Sequence, residues 1–331
     1  CHAEKGDAWV TEAACKWYGN SYQSAALSDA ALIQAAREHR WETLEEMTRY
    51  LVQPGRDEVI AASLMRLLRA CTDARKWPPL LEILQKDPSP LLRARAAEAL
   101  GDGLGRESVP LLIGALSDSF RLVRIRAVAS LAPLPTEYFT EAERNLFEKV
   151  SQEFVAAMTA RPDNYNCNYN LGVFYADCGQ HAKAVQAYET SIRFRPDAVA
   201  SLVNASISYS ALQKNDQAEA SLRRALDLAP ENISANLNLG LLLGEKGDLD
   251  AAAAAFEKTL SLEANMPIAA YNLGVIRGRQ GRVDEALNYC KTAWEGMPYN
   301  AEYAQTYGYY LQCTGKKEEA VKILGNLPRY S

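Results

Sequence analysis

The sequence predicts an all-α solenoid, and three observations carry the prediction. The C-terminal half repeats every 34 residues in unbroken register, a shorter unit upstream repeats at an offset of 31, and no segment requires a strand. The 331 residues are 48% hydrophobic and 23% charged, with 19 Gly and 14 Pro, an ordinary globular mixture that excludes disorder and collagen. Three regions are expected: 1–27, ending in a short helix; 28–135, built of the shorter repeats; and 136–331, an incomplete leading repeat followed by five repeats from about residue 165.

In the first region Trp9, Ala13 and Trp17 fall along one helical stripe, with Cys15 on the same helix as a core residue. In the second, Pro79-Leu80-Leu81 lies on Pro110-Leu111-Leu112, and Asp87 then meets Asp118. The same offset aligns Leu92-Arg93 with Val123-Arg124, Arg95 with Arg126, Ala96 with Ala127 and Leu100 with Leu131. This pattern resembles the short form of the HEAT repeat. The aspartates are expected to cap the second helix of each pair, whose Leu/Val, Ala and Leu positions form the buried stripe. Trp41 to Cys71 reads as a degenerate third copy, with Asp57 near the start of its second helix. Ala132-Pro133-Leu134-Pro135 is the strongest breaker run in the chain and marks the junction between the arrays.

Beyond it, Thr140 and Glu143 form a capping box for the helix of the incomplete repeat. A Leu-Gly pair then recurs at Leu171-Gly172, Leu239-Gly240 and Leu273-Gly274, with Ala205-Ser206 and Tyr307-Gly308 as weaker copies. Alanine stands at 184, 218, 252, 286 and 320, and four residues later come Tyr188, Leu222, Phe256, Cys290 and Leu324. Closing prolines fall at Pro196, Pro230 and Pro298, with Ala264 breaking that series. The period and these positions resemble the tetratricopeptide repeat: small residues let two helices approach, a bulky one fills the gap, and proline stops the second helix. The fold class is therefore short HEAT-like repeats followed by a five-repeat tetratricopeptide superhelix.

A net charge of −5, from 36 basic and 41 acidic residues, argues against phosphate-driven nucleic-acid binding. No window approaches the roughly 18 consecutive apolar residues of a membrane helix. Seven cysteines spread over a chain of this size do not form a disulfide framework, and most read as small buried side chains. Catalysis is unsupported, since the three histidines are widely separated and no phosphate-cradling glycine loop or complete Cys-x-x-Cys occurs. His39 and His181 read as exposed surface residues.

The chain opens on Cys1 and not on methionine, so the lack of a signal peptide carries no weight. Cys1-His2-Ala3-Glu4-Lys5, then Trp9, then Trp17-Tyr18-Gly19 resembles the last haem motif of a family of bacterial multihaem c-type cytochromes. In that family HEAT-like and then tetratricopeptide repeats follow the haem-bearing part, the order found here. The sequence departs from the family's pattern in two respects: the motif's first cysteine is absent, and so are the earlier haem motifs that the family carries upstream. The resemblance implies haem c bound covalently through Cys1, with His2 as axial iron ligand, electron transfer to a redox partner, and a periplasmic or cell-surface location. Trp9, Trp17 and Tyr18 either shield a haem edge or plug the first helix pair.

The second functional reading is a haem-free, cytoplasmic adaptor. The residue before each Leu-Gly pair falls on the inner surface of the array, where Asn170, Asn204, Asn238 and Asn272 stand 34 apart with Thr306 in the fifth place. Such a ladder either bonds an extended backbone or braces neighbouring repeats. Tyr169, Tyr271 and Tyr309, with Val203, Ile207, Leu237, Leu241 and Val275, give the inner face an apolar character suited to a protein or peptide partner. Asp177, Glu245, Arg279 and Glu302 are its few charges. Arg93, Arg95, Arg121, Arg124 and Arg126 form a basic stripe that reads as structural, pairing with repeat-turn acids, or else as a grip on haem propionates or an acidic surface.

Overall fold

The computed structural model describes residues 6–19 and 24–325, among which there are nineteen α-helices and no strand. The chain divides into two compact units, Cys1–Ala160 and Arg161–Ser331.

The first unit holds α1 (Asp7–Tyr18), α2 (Ser24–Arg37), α3 (Leu44–Val52), α4 (Glu58–Leu68), α5 (Trp77–Lys86), α6 (Pro90–Leu100), α7 (Ser108–Ala115), α8 (Arg121–Leu131) and α9 (Glu141–Thr159). Two helix layers run through it: α3 packs on α5 and α5 on α7, while α2, α4, α6, α8 and α9 pack in succession. The stripe read at an offset of 31 is the interior of this stack. Leu92, Ala96 and Leu100 of α6 and Val123, Ala127 and Leu131 of α8 are each at most 1% exposed. Each leucine so buried contributes about 1.5–3 kcal/mol. The expected third copy is present as α3 and α4, and Asp57 caps α4 by accepting from the Val59 and Ile60 N–H groups.

The expected caps of the next two copies are corrected. Ser89, not Asp87, is the N-cap of α6, its hydroxyl accepting from Leu92 N–H, while Asp87 accepts from Ser89 N–H. Asp118 likewise accepts from Phe120 N–H, and α8 has no side-chain cap. The aspartates brace the turn from two residues ahead of the N-cap position and keep an oxygen for a neighbour. The capping box at Thr140 and Glu143 is fully formed at the start of α9. The repeat type changes after the proline run at 133–135, yet the compact unit continues to Ala160 because α9 lies on α8.

The second unit is five helix pairs: α10 (Tyr165–Asp177) with α11 (His181–Phe194), α12 (Val199–Ala211) with α13 (Asn215–Leu228), α14 (Ile233–Lys246) with α15 (Leu249–Leu262), α16 (Pro267–Arg279) with α17 (Val283–Gly296), and α18 (Ala301–Cys313) with α19 (Lys317–Gly325). All five alanines of the 34-residue register are 0% exposed. A Cβ placed on Gly172 would sit 2.5 Å from the ring of Tyr188, and one on Gly240 2.7 Å from that of Phe256. Glycine is required there because the bulky residue of the second helix lies directly on the backbone of the first.

The second helices stop in register with or without the closing proline. Arg195, Ala229, Glu263 and Met297, the residues after α11, α13, α15 and α17, share φ between −138° and −144°. Proline imposes such a conformation on the residue before it, and Glu263, with Ala264 behind it, adopts the same geometry from packing alone. The turn inside each pair needs a left-handed residue. Gly179, Gly247, Gly281 and Gly315 supply it in four repeats, and Gln213 takes φ +59° in the remaining one.

Candidate functional site

Cys1 and His2 lie outside the described residues, as do Ala3, Glu4 and Lys5. Trp9 is half-buried and Trp17 is 72% exposed. Cys15 is half-buried. No group of three or more His, Cys, Asp or Glu side chains able to hold a metal occurs among the described residues. Cys71 and Cys290 are buried, and burial pushes the thiols of Cys178 and Cys290 up to about 11 and about 12, so both stay protonated. His39 is exposed and stacks on Trp41, but His181 is half-buried with its Nδ1 enclosed, a correction to the exposed position expected for it.

The basic stripe of the first unit is tied to acids. Arg93 donates to both oxygens of Asp118 at 2.8 and 3.0 Å, and Arg124 donates to Glu153 at 2.6 Å. Arg95 reaches Glu98 at 2.7 Å, with Arg126 at 3.9 Å from the same carboxylate, and Arg121 donates to the Glu153 carbonyl. Ahead of them, Arg56 pairs with Asp87. The expected pairing of this stripe with repeat-turn acids is met by Arg93 on Asp118, while Arg124 takes Glu153 of α9. Arg56, Arg93 and Arg124 reach forward along the stack, Arg95 pairs within α6, and Arg126 reaches back to α6.

On the inner helices the four asparagines hold their register and differ in role. Asn170 is exposed. Asn204 donates through Nδ2 to the hydroxyl of Tyr169 at 3.2 Å, joining the first repeat to the second. Asn238 and Asn272 donate to the carbonyls of Ser234 and Ile268 in their own helices, each at 2.8 Å. Their side-chain oxygens take no hydrogen bond from the described residues, so each presents an acceptor at the inner surface.

The tyrosines separate in the same way. Tyr169 is half-buried and its ring lies 6.1 Å from that of Tyr188. Tyr271 is half-buried, stacked on Tyr303 with centroids 4.6 Å apart, and donates to Glu302 at 2.8 Å. Burial and the Glu302 carboxylate raise its hydroxyl above the usual tyrosine value, so it remains a neutral donor. Tyr309 is 60% exposed, edge-on to Tyr310.

Three residues beyond each asparagine runs a second column: Val173, Ile207, Leu241 and Val275, ending at Tyr309 beyond Thr306. Residues three apart share a helix face, so the two columns lie side by side. Ile207 is 47% exposed, and Val173, Leu241 and Val275 are half-buried. Val203, expected on this face, is buried in the core. Ile268, which sequence reading missed, is 42% exposed four residues before Asn272, a position the two preceding repeats fill with Ala200 and Ser234.

Family models now separate the two arrays. The model for HEAT repeats matches residues 77–143. Two models for the tetratricopeptide repeat match 165–197, and 204–264 with 237–300. The chain carries both repeat types. No curated protein matches it. Among solved structures, a crystal structure of MamA is similar with TM-score 0.43 and 22% identity, over 47% of this chain and 91% of its own. A MamA from Desulfovibrio magneticus RS-1 gives 0.44 and 16%, over 49% and 91%. The crystal structure of YrrB, described as a TPR protein with an unusual peptide-binding site, gives 0.44 and 19%, over 52% and 89%.

Proposed function

We propose that the tetratricopeptide unit is a docking scaffold that holds a segment of a protein partner along its inner helices. The observation that carries this reading is the pair of adjacent columns: asparagine acceptors 34 residues apart, flanked by an apolar column three residues on. An extended backbone offers N–H donors to the first while its side chains rest on the second. Asn238 and Asn272 are the informative positions, since Asn204 also braces Tyr169. A random-peptide display library panned on the protein tests it. Asn238→Ala with Asn272→Ala abolishes enrichment while leaving the thermal melt unchanged; equal enrichment on the variant overturns the reading.

A second reading rests on Cys1-His2 and on the order of the repeat types. In it the scaffold is the C-terminal part of an exported multihaem cytochrome, haem c is attached at Cys1 with His2 as axial ligand, and the compartment is the periplasm or cell surface. The haem would supply electron transfer, and the repeats would dock its partner. A reduced-minus-oxidised visible spectrum of the native protein, with intact mass, tests it: sharp c-type bands with added haem mass support it, and a bare polypeptide mass overturns it.

A further inference from the structure

Resting on the docking reading, we propose that the inner face takes an internal, extended segment of a protein partner with an apolar side chain at about every third residue and no acidic group or terminal carboxylate. Four columns of the five inner helices lie at or beside the groove: the asparagine positions, the residues three beyond them, and those one and four before. Among these described positions the one charged side chain is Glu302, which holds the Tyr271 hydroxyl. A carboxylate laid along the columns therefore meets no lysine or arginine. At the C-terminal ends of the inner helices stand Asp177, Glu245 and Arg279, all exposed, so the fringe carries two acids against one base. Charge complementarity thus favours a neutral to weakly basic occupant.

Spacing supplies the second constraint. Neighbouring inner helices, α10 beside α12, α12 beside α14 and α14 beside α16, are in direct contact. Helices packed in this way lie about 8–10 Å apart. A chain extended in the polyproline-type conformation advances about 3.1 Å per residue and presents the same face every third residue, so about three residues pass from one repeat to the next. Each repeat then presents one apolar position, Ile207 or Leu241 for example, and one asparagine acceptor per three residues of the occupant. Both contacts recur in phase only if the segment stays extended.

The test uses the full chain and one random-peptide library displayed in two formats, with a free C-terminal carboxylate and with the same peptides embedded between constant flanks. Equal enrichment in both formats is expected, with apolar residues at a spacing of three and Asp and Glu depleted. Ile207→Arg, at an exposed position, introduces a preference for an acidic residue at one register position and leaves the melting temperature unchanged. Enrichment confined to the free-carboxylate format, or an acidic consensus, overturns this inference and leaves the docking reading standing. Enrichment no better than on the Asn238→Ala, Asn272→Ala variant overturns the docking reading itself.

Discussion

Arg93 grips both carboxylate oxygens of Asp118, 25 residues ahead of it, across the boundary between two successive helix pairs. Both side chains are largely buried, at 13% and 14% exposure, and Asp118 also receives the Phe120 N–H of its own turn. The geometry is a bidentate fork, the arrangement that gives an arginine–carboxylate pair its directionality. The pair fixes how one repeat sits on the next.

Removing one member of such a pair leaves a charge without its partner. Arg93→Met is expected to destabilise the first unit by about 2–4 kcal/mol. Tryptophan fluorescence during urea denaturation reports this, because Trp9, Trp17, Trp41 and Trp77 lie in that unit and only Trp294 in the other. A midpoint unchanged from the parent would show that the bridge contributes nothing.

The same pair predicts a pH dependence. Burial alone would raise the Asp118 carboxyl, but Arg93, the Phe120 N–H and Arg124 together hold it below the usual carboxylate value. A depressed acid contributes stability above its unfolded pKa, about 3.9, and loses that contribution as pH falls through the folded value. Asp118→Asn is therefore less stable than the parent at pH 7, and the gap narrows below about pH 4. A gap that stays constant down to pH 3 would refute the assignment.

Gly172 and Gly114 make opposite predictions for one substitution. A Cβ at Gly172 meets the Tyr188 ring at 2.5 Å, and Tyr188 is 1% exposed with nowhere to move. At Gly114 a Cβ meets nothing within 4 Å. Alanine is worth up to about 1 kcal/mol over glycine inside a helix, and overpacking costs about 1–3 kcal/mol. Gly114→Ala should raise the melting temperature and Gly172→Ala should lower it, as thermal circular dichroism will measure.

Gln213 occupies the left-handed turn position that glycine fills in the other four repeats. A side chain there strains the backbone by about 1–2 kcal/mol, of which glycine's greater unfolded-state freedom returns roughly half. Gln213→Gly is expected to stabilise the second unit by about 0.5–1 kcal/mol. A destabilised variant would mean that the glutamine side chain makes contacts that outweigh the strain.

The asparagine and alanine series were legible because repetition multiplies a weak local signal: one Ala is uninformative, while five at a fixed interval leave little room for another arrangement. The N-caps of the inner helices were not. Asn164, Asn232 and Asn300 cap α10, α14 and α18, whereas Ala198 and Met266 stand at the matching places of the other two, so that signal recurs only every 68 residues. A second two-repeat pattern sits outside the groove, where Tyr209 and Arg277 reach back to Glu189 and Glu257. Leu243 and Leu311 hold the same positions in the repeats after them.

Helix order, repeat register and the buried stripe follow from spacing along the chain, since each depends on which residues share one face of one helix, and that is a property of local periodicity. Partner choice among polar side chains does not. Whether Arg93 takes the carboxylate of Asp87 or that of Asp118, whether Asn204 faces a ligand or the Tyr169 hydroxyl, and whether Val203 lines the groove or the core depend on the angle at which one repeat stacks on the next. That angle is set by contacts between residues 25 to 35 positions apart, such as Asn204 with Tyr169, and no single repeat contains both members of such a pair.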